Sequence, residues 1–223
     1  PSVENTAARL ESDGFTVVRI PTRGGTLNLE YLEQAADDSV ILASMMLVNN
    51  ETGALYPIRE AAGIIRRKSP GAVVHCDAVQ GYMRVPVTPT ALGVDLLSIS
   101  AHKIYAPKGA GALYVSAEML RGKRMIPLLM GGGQEGGLRS GTENTPAIAA
   151  FGAAVLEGMK EAETRSRTVQ RLRAFLLEKL RPLVQINQPE SSVDAIVHIT
   201  LPSIKSEVML RALSAAGICV SAG

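Results

Sequence analysis

The chain has 223 residues, a net charge of +2 at pH 7, and 46% hydrophobic content. That is enough for one large domain, or a domain with an appendage, built on a real core. Charges of both signs are interspersed, so there is no electrostatic case for nucleic acid or an anionic membrane as partner. With no Trp and only 4% aromatic residues, the core must come from Val, Ile, Leu, Ala and Met. The longest apolar run, 40–48, is too short to span a bilayer and reads as a buried strand. Cys76 and Cys219 both sit inside apolar runs. They point to a reducing, cytoplasmic setting rather than a disulfide scaffold.

Taken in order, Ser2 to Ser12 has helical spacing, with Val3, Ala7 and Leu10 on one side and Gly14 as a stop. Phe15 to Ile20 reads as a short strand, Pro21 to Gly25 as a turn, and Leu27 to Ala36 as a second helix. The strand 40–48 ends in the polar loop Asn49-Asn50-Glu51-Thr52-Gly53. Pro57 starts a helix through Ile58, Ala62, Ile64 and Ile65, which Pro70-Gly71 ends. Ala72 to Asp77 is the next strand. The segment 86–92 leads to the strand Leu96 to Ala101, and Gly111 to Val115 is one more.

Alternating strands and helices with continuously apolar strands predict an α/β fold: a mainly parallel sheet with helices on both faces. The loop Met130 to Asn144 breaks this rhythm with glycines at 131–133, 136, 137 and 141. Such a loop can bring backbone amides to an anion, with Arg139, Ser140 and Thr142 adding charge and hydroxyls. A flexible linker is the plain alternative. Beyond Pro146, Ile148, Phe151, Val155 and Met159 line one face of a helix, and the charged stretch 160–173 continues it toward Leu180. The stretch 182–194 reads as loop, 195–201 as a strand, 206–216 as a helix, and 218–221 as the start of a strand. The expected division is a large domain over 1–145, then a bridging helix with part of a small α+β domain over 146–223. The chain opens at Pro1, directly ahead of a helix and without an initiator Met, so it is expected to begin within a longer protein.

Two strand ends carry the chemistry. Leu96-Leu97-Ser98-Ile99-Ser100-Ala101-His102-Lys103 is an apolar run that stops at a Ser, a His and a Lys. A lysine at the carboxyl end of a buried strand lies where α/β proteins keep their ligands. An amine half-withdrawn from water there is a usable nucleophile or Schiff-base partner. Alone, this motif reads first as a surface lysine at a strand end. The second run, Ala72-Val73-Val74-His75-Cys76-Asp77, also ends polar. If the two strands are parallel neighbours, Asp77 and Lys103 emerge at one edge. A carboxylate for a pyridine nitrogen and an amine for an aldehyde are what pyridoxal phosphate requires. Cys76 is one residue out of phase with Asp77 and so belongs to the opposite face. Cys219 is expected to pack inward from a strand. No metal ligand set is expected.

Four blocks in order, Val48-Asn49-Asn50-Glu51-Thr52-Gly53, His75-Cys76-Asp77-Ala78-Val79-Gln80, Ser100-Ala101-His102-Lys103, and Gly131 to Asn144 with Arg139-Ser140-Gly141-Thr142, resemble the cysteine desulfurases of the NifS/IscS type. These belong to the class V aminotransferase group of fold type I pyridoxal phosphate enzymes. The resemblance implies that Lys103 anchors the cofactor and Asp77 pairs with its ring nitrogen. Gln80 would bond its phenolic oxygen, with Asn50 near that oxygen and the substrate. Ser100 and His102 would hold the phosphate. Thr142 would reach the phosphate in a second subunit, making a homodimer with shared sites. The substrate would be L-cysteine, and sulfur would pass through an enzyme persulfide to an acceptor or iron–sulfur scaffold protein.

Family members carry a phosphate loop and a ring-stacking His ahead of the position of Pro1. Val220-Ser221-Ala222-Gly223 resembles the start of the run that the persulfide Cys follows. The chain is therefore expected to lack parts of the family at both ends and to be inactive alone. Two alternatives share the Asp and Lys: another class V aminotransferase or a selenocysteine lyase, and a non-catalytic chain that dimerises or binds a partner.

Overall fold

The structure is a computed structural model and describes residues 2–222. Its centre is a four-stranded sheet in the order β3-β4-β5-β6, with β3 Leu42–Met46, β4 Val73–Asp77, β5 Leu96–Ser100 and β6 Gly111–Val115. β3, β4 and β5 run parallel, while β6 returns antiparallel to β5. Ahead of the sheet come α1 (Ser2–Ser12), a small hairpin of β1 (Thr22–Arg23) and β2 (Thr26–Leu27), and α2 (Leu29–Ala35).

One face of the sheet is the core. α3 (Ile58–Lys68) buries Ile58, Ala61, Ala62, Ile64 and Ile65, a helical repeat that makes one continuous apolar stripe. The stripe packs with Val74, Cys76 and Leu97, alternate residues of β4 and β5. Removing each such Ile or Val from water contributes about 1.5–3 kcal/mol. The opposite face carries Ser44, His75, Asp77, Ser98 and Ser100, all half-buried or exposed.

At the amino-terminal edge of the strands, Asp95 draws three elements together. Its Oδ2 accepts the Val74 N–H at 2.7 Å and an Arg66 Nη2–H from α3 at 2.7 Å. Arg66 Nη1 also donates to the Ala72 carbonyl at 2.8 Å.

Several expected elements differ. Phe15 to Ile20 is not a strand; without a pairing partner it is an extended segment, held to α1 by Arg19 bonds to Glu4 and Glu11. The short antiparallel pairing falls instead on Thr22–Leu27, across the expected turn. The single bridging helix is two, α6 (Thr145–Lys160) and α7 (Ala162–Leu180), with α5 (Ala117–Arg121) and a short α4 (Pro89–Leu92) before them. They meet at Glu161, where Arg165 Nη2 reaches back to the Gly158 carbonyl at 3.4 Å.

In the tail, β7 (Gln185–Asn187) forms where loop was expected. It pairs antiparallel with β8 (His198–Thr200), and α8 (Ser206–Ala215) follows. No strand forms over 218–221, and Cys219 is exposed rather than packed inward. Among the described residues, no helix is long and apolar enough to cross a membrane.

Candidate active site at the carboxyl rim of the sheet

The register of β4 and β5 sets the site. Asp77 lies abreast of Ser98, on the same face, and Ser100 ends β5 two residues further on. Both strands run parallel, so Asp77 and the turn after Ser100 reach the same carboxyl rim. That turn is a 3-10 helix, Ala101–Ile104, and it carries His102 and Lys103. Ala101 and Ile104 are buried against Phe151 of α6, so the turn is pinned from both ends while Lys103 stays half-buried between them. The Ser100 hydroxyl and His102 Nδ1 lie 2.8 Å apart.

Asp77 is oriented from behind. Its Oδ1 accepts the Val79 N–H at 2.9 Å, and a carboxylate has capacity for further donors on its other oxygen. Its neighbour Cys76 faces the core as its phase requires. Burial, reinforced by the Asp77 charge, pushes the Cys76 thiol up to about 12, so it is an inert core group.

His75, which the sequence reading passed over, spans the polar face. Ser44 Oγ lies 2.8 Å from its Nδ1, and Ser98 Oγ lies 2.8 Å from its Nε2. Burial pulls this imidazole below its ordinary value, against the opposing influence of Asp77. A neutral ring offers one donor and one acceptor, which matches its position between two hydroxyls. The sequence signal was alternation: His75 sits two residues before Asp77 and so on the same face.

Gln80 sits on the turn beyond β4. Arg84 Nη1 donates to the Gln80 carbonyl at 2.9 Å and also contacts Gln80 Oε1. Asn50 is exposed on the loop after β3. The organiser of that loop is Asn49, whose Oδ1 accepts the Glu51 and Thr52 N–H groups at 2.9 Å. Gly53 completes it at φ +74, where a Cβ would meet Ile196 Cβ at 2.9 Å. Thr142 is exposed on the glycine loop. Gln134 Oε1 accepts the Gly141 N–H at 3.1 Å and so braces the loop just before Thr142. The structure thus gathers Asp77, Ser100, His102 and Lys103 at one rim and sets Asn50, Gln80 and Thr142 on loops.

These residues fit pyridoxal phosphate. An amine, a half-buried carboxylate fixed by a backbone N–H, and a hydroxyl–imidazole pair are the kinds of group that an aldehyde, a pyridine nitrogen and a phosphate call for. Hollows of 460 and 510 Å³ lie elsewhere, on the outer side of α3 around Gly63 and beside α7 around Arg173. Neither contains the rim residues.

Comparison with known proteins agrees. The family model described as "Aminotransferase class-V" matches residues 1–223. A cysteine desulfurase of Trichormus azollae is 39% identical over 232 residues, covering 100% of this chain and 56% of that protein. Cysteine desulfurase IscS 1 of Archaeoglobus fulgidus is 37% identical over 226 residues, covering 100% of this chain and 57% of that protein. A solved structure described as a NifS-like protein superposes with a TM-score of 0.94 at 35% identity, over 99% of this chain and 60% of that one. The chain thus spans about half the length of the curated relatives it matches. The cofactor of these enzymes is pyridoxal phosphate. Matched along its whole length, the chain belongs to the class V aminotransferase family.

Proposed function

We propose that this chain builds the cofactor-binding centre of a cysteine desulfurase, converting L-cysteine to L-alanine and passing sulfur to an acceptor. The supporting observation is the shared rim: Asp77 abreast of Ser98, with Lys103 on the turn after Ser100. When bound, pyridoxal phosphate supplies an aldehyde that takes an amine and a ring that draws electrons from the bond that breaks.

The chain's own residues do the rest. Lys103 would hold the group through its Nζ and supplies an amine that can take or give a proton beside the substrate. Asp77 holds a proton at the ring nitrogen. Ser100 and His102 hold the phosphate, and Thr142 reaches the corresponding phosphate in a second copy. Gln80 donates to the phenolic oxygen, and Asn50 stands near it and the substrate. Residues 1–145 form the cofactor-binding part, and 146–223 the bridging helices and part of a small domain. The setting is cytoplasmic, and the onward partner is a sulfur acceptor or iron–sulfur scaffold protein.

Neither cysteine is placed as a persulfide nucleophile. Cys76 is buried with its thiol pushed up to about 12, and Cys219 precedes the run that the family's nucleophile follows. We therefore infer no desulfurase turnover by this polypeptide alone.

Incubation with pyridoxal phosphate tests the reading. A visible absorbance band is expected in the wild type and none in Lys103→Ala. Asp77→Asn, which loses a charge-assisted bond, is expected to weaken retention roughly 10–100-fold. A band that survives Lys103→Ala contradicts the reading. Alanine and persulfide produced from cysteine by this chain alone contradict the inference of inactivity.

A further inference from the structure

We propose that Arg84 is a positioning residue that fixes which end of the Gln80 carboxamide faces the rim. The inference rests on the reading above that Gln80 meets the cofactor's phenolic oxygen.

The segment after β4 is wound in successive turns. The Ala78 carbonyl accepts the Gly81 and Tyr82 N–H groups at 3.0 and 2.8 Å, and the Gly81 carbonyl accepts those of Arg84 and Val85 at 2.9 and 3.0 Å. Met83, at φ +64, turns the chain between Gln80 and Arg84, and the Arg84 guanidinium comes back onto Gln80. The segment is also pressed against the sheet: Gly81 is buried, and a Cβ there would stand 2.7 Å from Leu47 Cδ2. Against this fixed backbone, one guanidinium nitrogen of Arg84 engages both the Gln80 carbonyl and Gln80 Oε1.

A guanidinium can only donate, so the carboxamide must present its oxygen to Arg84. Its NH2 group, with two donors, is then turned the other way. An ionised phenol accepts only and needs that NH2. With the amide reversed, two acceptor oxygens would face each other, and the contact would repel. Arg84 thus sets the sign of the Gln80 contact without touching the cofactor itself.

A donor on the phenolic oxygen draws charge from the chromophore and lowers the pH at which it loses its proton. The test is an absorbance pH titration of the protein loaded with pyridoxal phosphate. Arg84→Met is expected to raise the chromophore's apparent pKa by about half a unit to one unit, the worth of one hydrogen bond. Arg84→Lys, also a pure donor, is expected to stay near wild type. Gln80→Leu is expected to reproduce the Arg84→Met shift, and the double variant to add nothing to Gln80→Leu. An unshifted Arg84→Met, or shifts that simply add in the double variant, overturns the role of Arg84 while leaving the cofactor site intact. A wild-type chromophore that does not depend on Lys103 overturns both readings together.

Discussion

His75 joins three strands through two hydroxyls, and its protonation is set by the fold. Its folded value lies below the ordinary 6.5, because burial disfavours the imidazolium. As pH falls through 6.5, the unfolded chain takes up a proton that the folded chain refuses. Its contribution to stability is therefore complete above that pH and lost as pH falls toward the lowered folded value. His75→Gln keeps a donor and an acceptor but does not titrate. Urea unfolding across mildly acidic pH is expected to show a shallower loss of stability in His75→Gln than in wild type; equal slopes contradict this account.

The cysteines give a second contrast at the same scale. Cys76 is buried with an elevated thiol, whereas Cys219 is exposed. Iodoacetamide on the folded protein, read by peptide mass, is expected to label Cys219 and spare Cys76. Labelling of Cys76 before unfolding contradicts its core placement.

Among the elements, the junction of α3, β4 and β5 hangs on Asp95. Its carboxylate satisfies the Val74 N–H and an Arg66 guanidinium, and the residue is only 9% exposed. Asp95→Ala leaves the Val74 N–H unpaired and takes the anionic partner from Arg66, which keeps its bond to the Ala72 carbonyl, and is expected to cost about 2–4 kcal/mol in denaturant unfolding. Asp95→Asn keeps one acceptor and should lose less. Equal stability of Asp95→Ala and wild type contradicts a structural role for the junction.

Periodicity made α3 and the parallel strands readable in the sequence, because each buries apolar side chains; α1 was readable from its spacing although Val3 stays exposed, and the Asp77–Lys103 rim from where the strands end. The misses share a different physics. Phe15 to Ile20 has strand composition, but a strand also needs a neighbour. β7 is a three-residue piece that is a strand only through its pairing with β8. The break at Glu161 falls in a charged stretch with no Pro to mark it. At the site, Lys103, Asp77 and the Ser100–His102 pair stood out as strand ends. His75, Asn49 and Arg84 act by holding other residues, and such roles become visible only when the partners are in place.

At the scale of the whole molecule, much apolar surface faces solvent. Ile41, just ahead of β3, and Leu42 on it, an edge strand of the sheet among the described residues, are 63% and 48% exposed, and Phe175 on α7 is 60% exposed. An edge strand of this kind invites pairing with another chain, and large apolar patches mark association surfaces. Light scattering is expected to report two or more chains per particle, in keeping with the proposal that Thr142 of a second copy completes the site. A monodisperse monomer contradicts that arrangement.

The most direct measurement is borohydride reduction of the chain after incubation with pyridoxal phosphate, followed by peptide mass mapping. The stable pyridoxyl mark is expected on Lys103, in competition with exposed lysines such as Lys108, Lys123 and Lys160. A mark distributed over those exposed lysines, with Lys103 unmodified, contradicts the claim that this rim is a cofactor site.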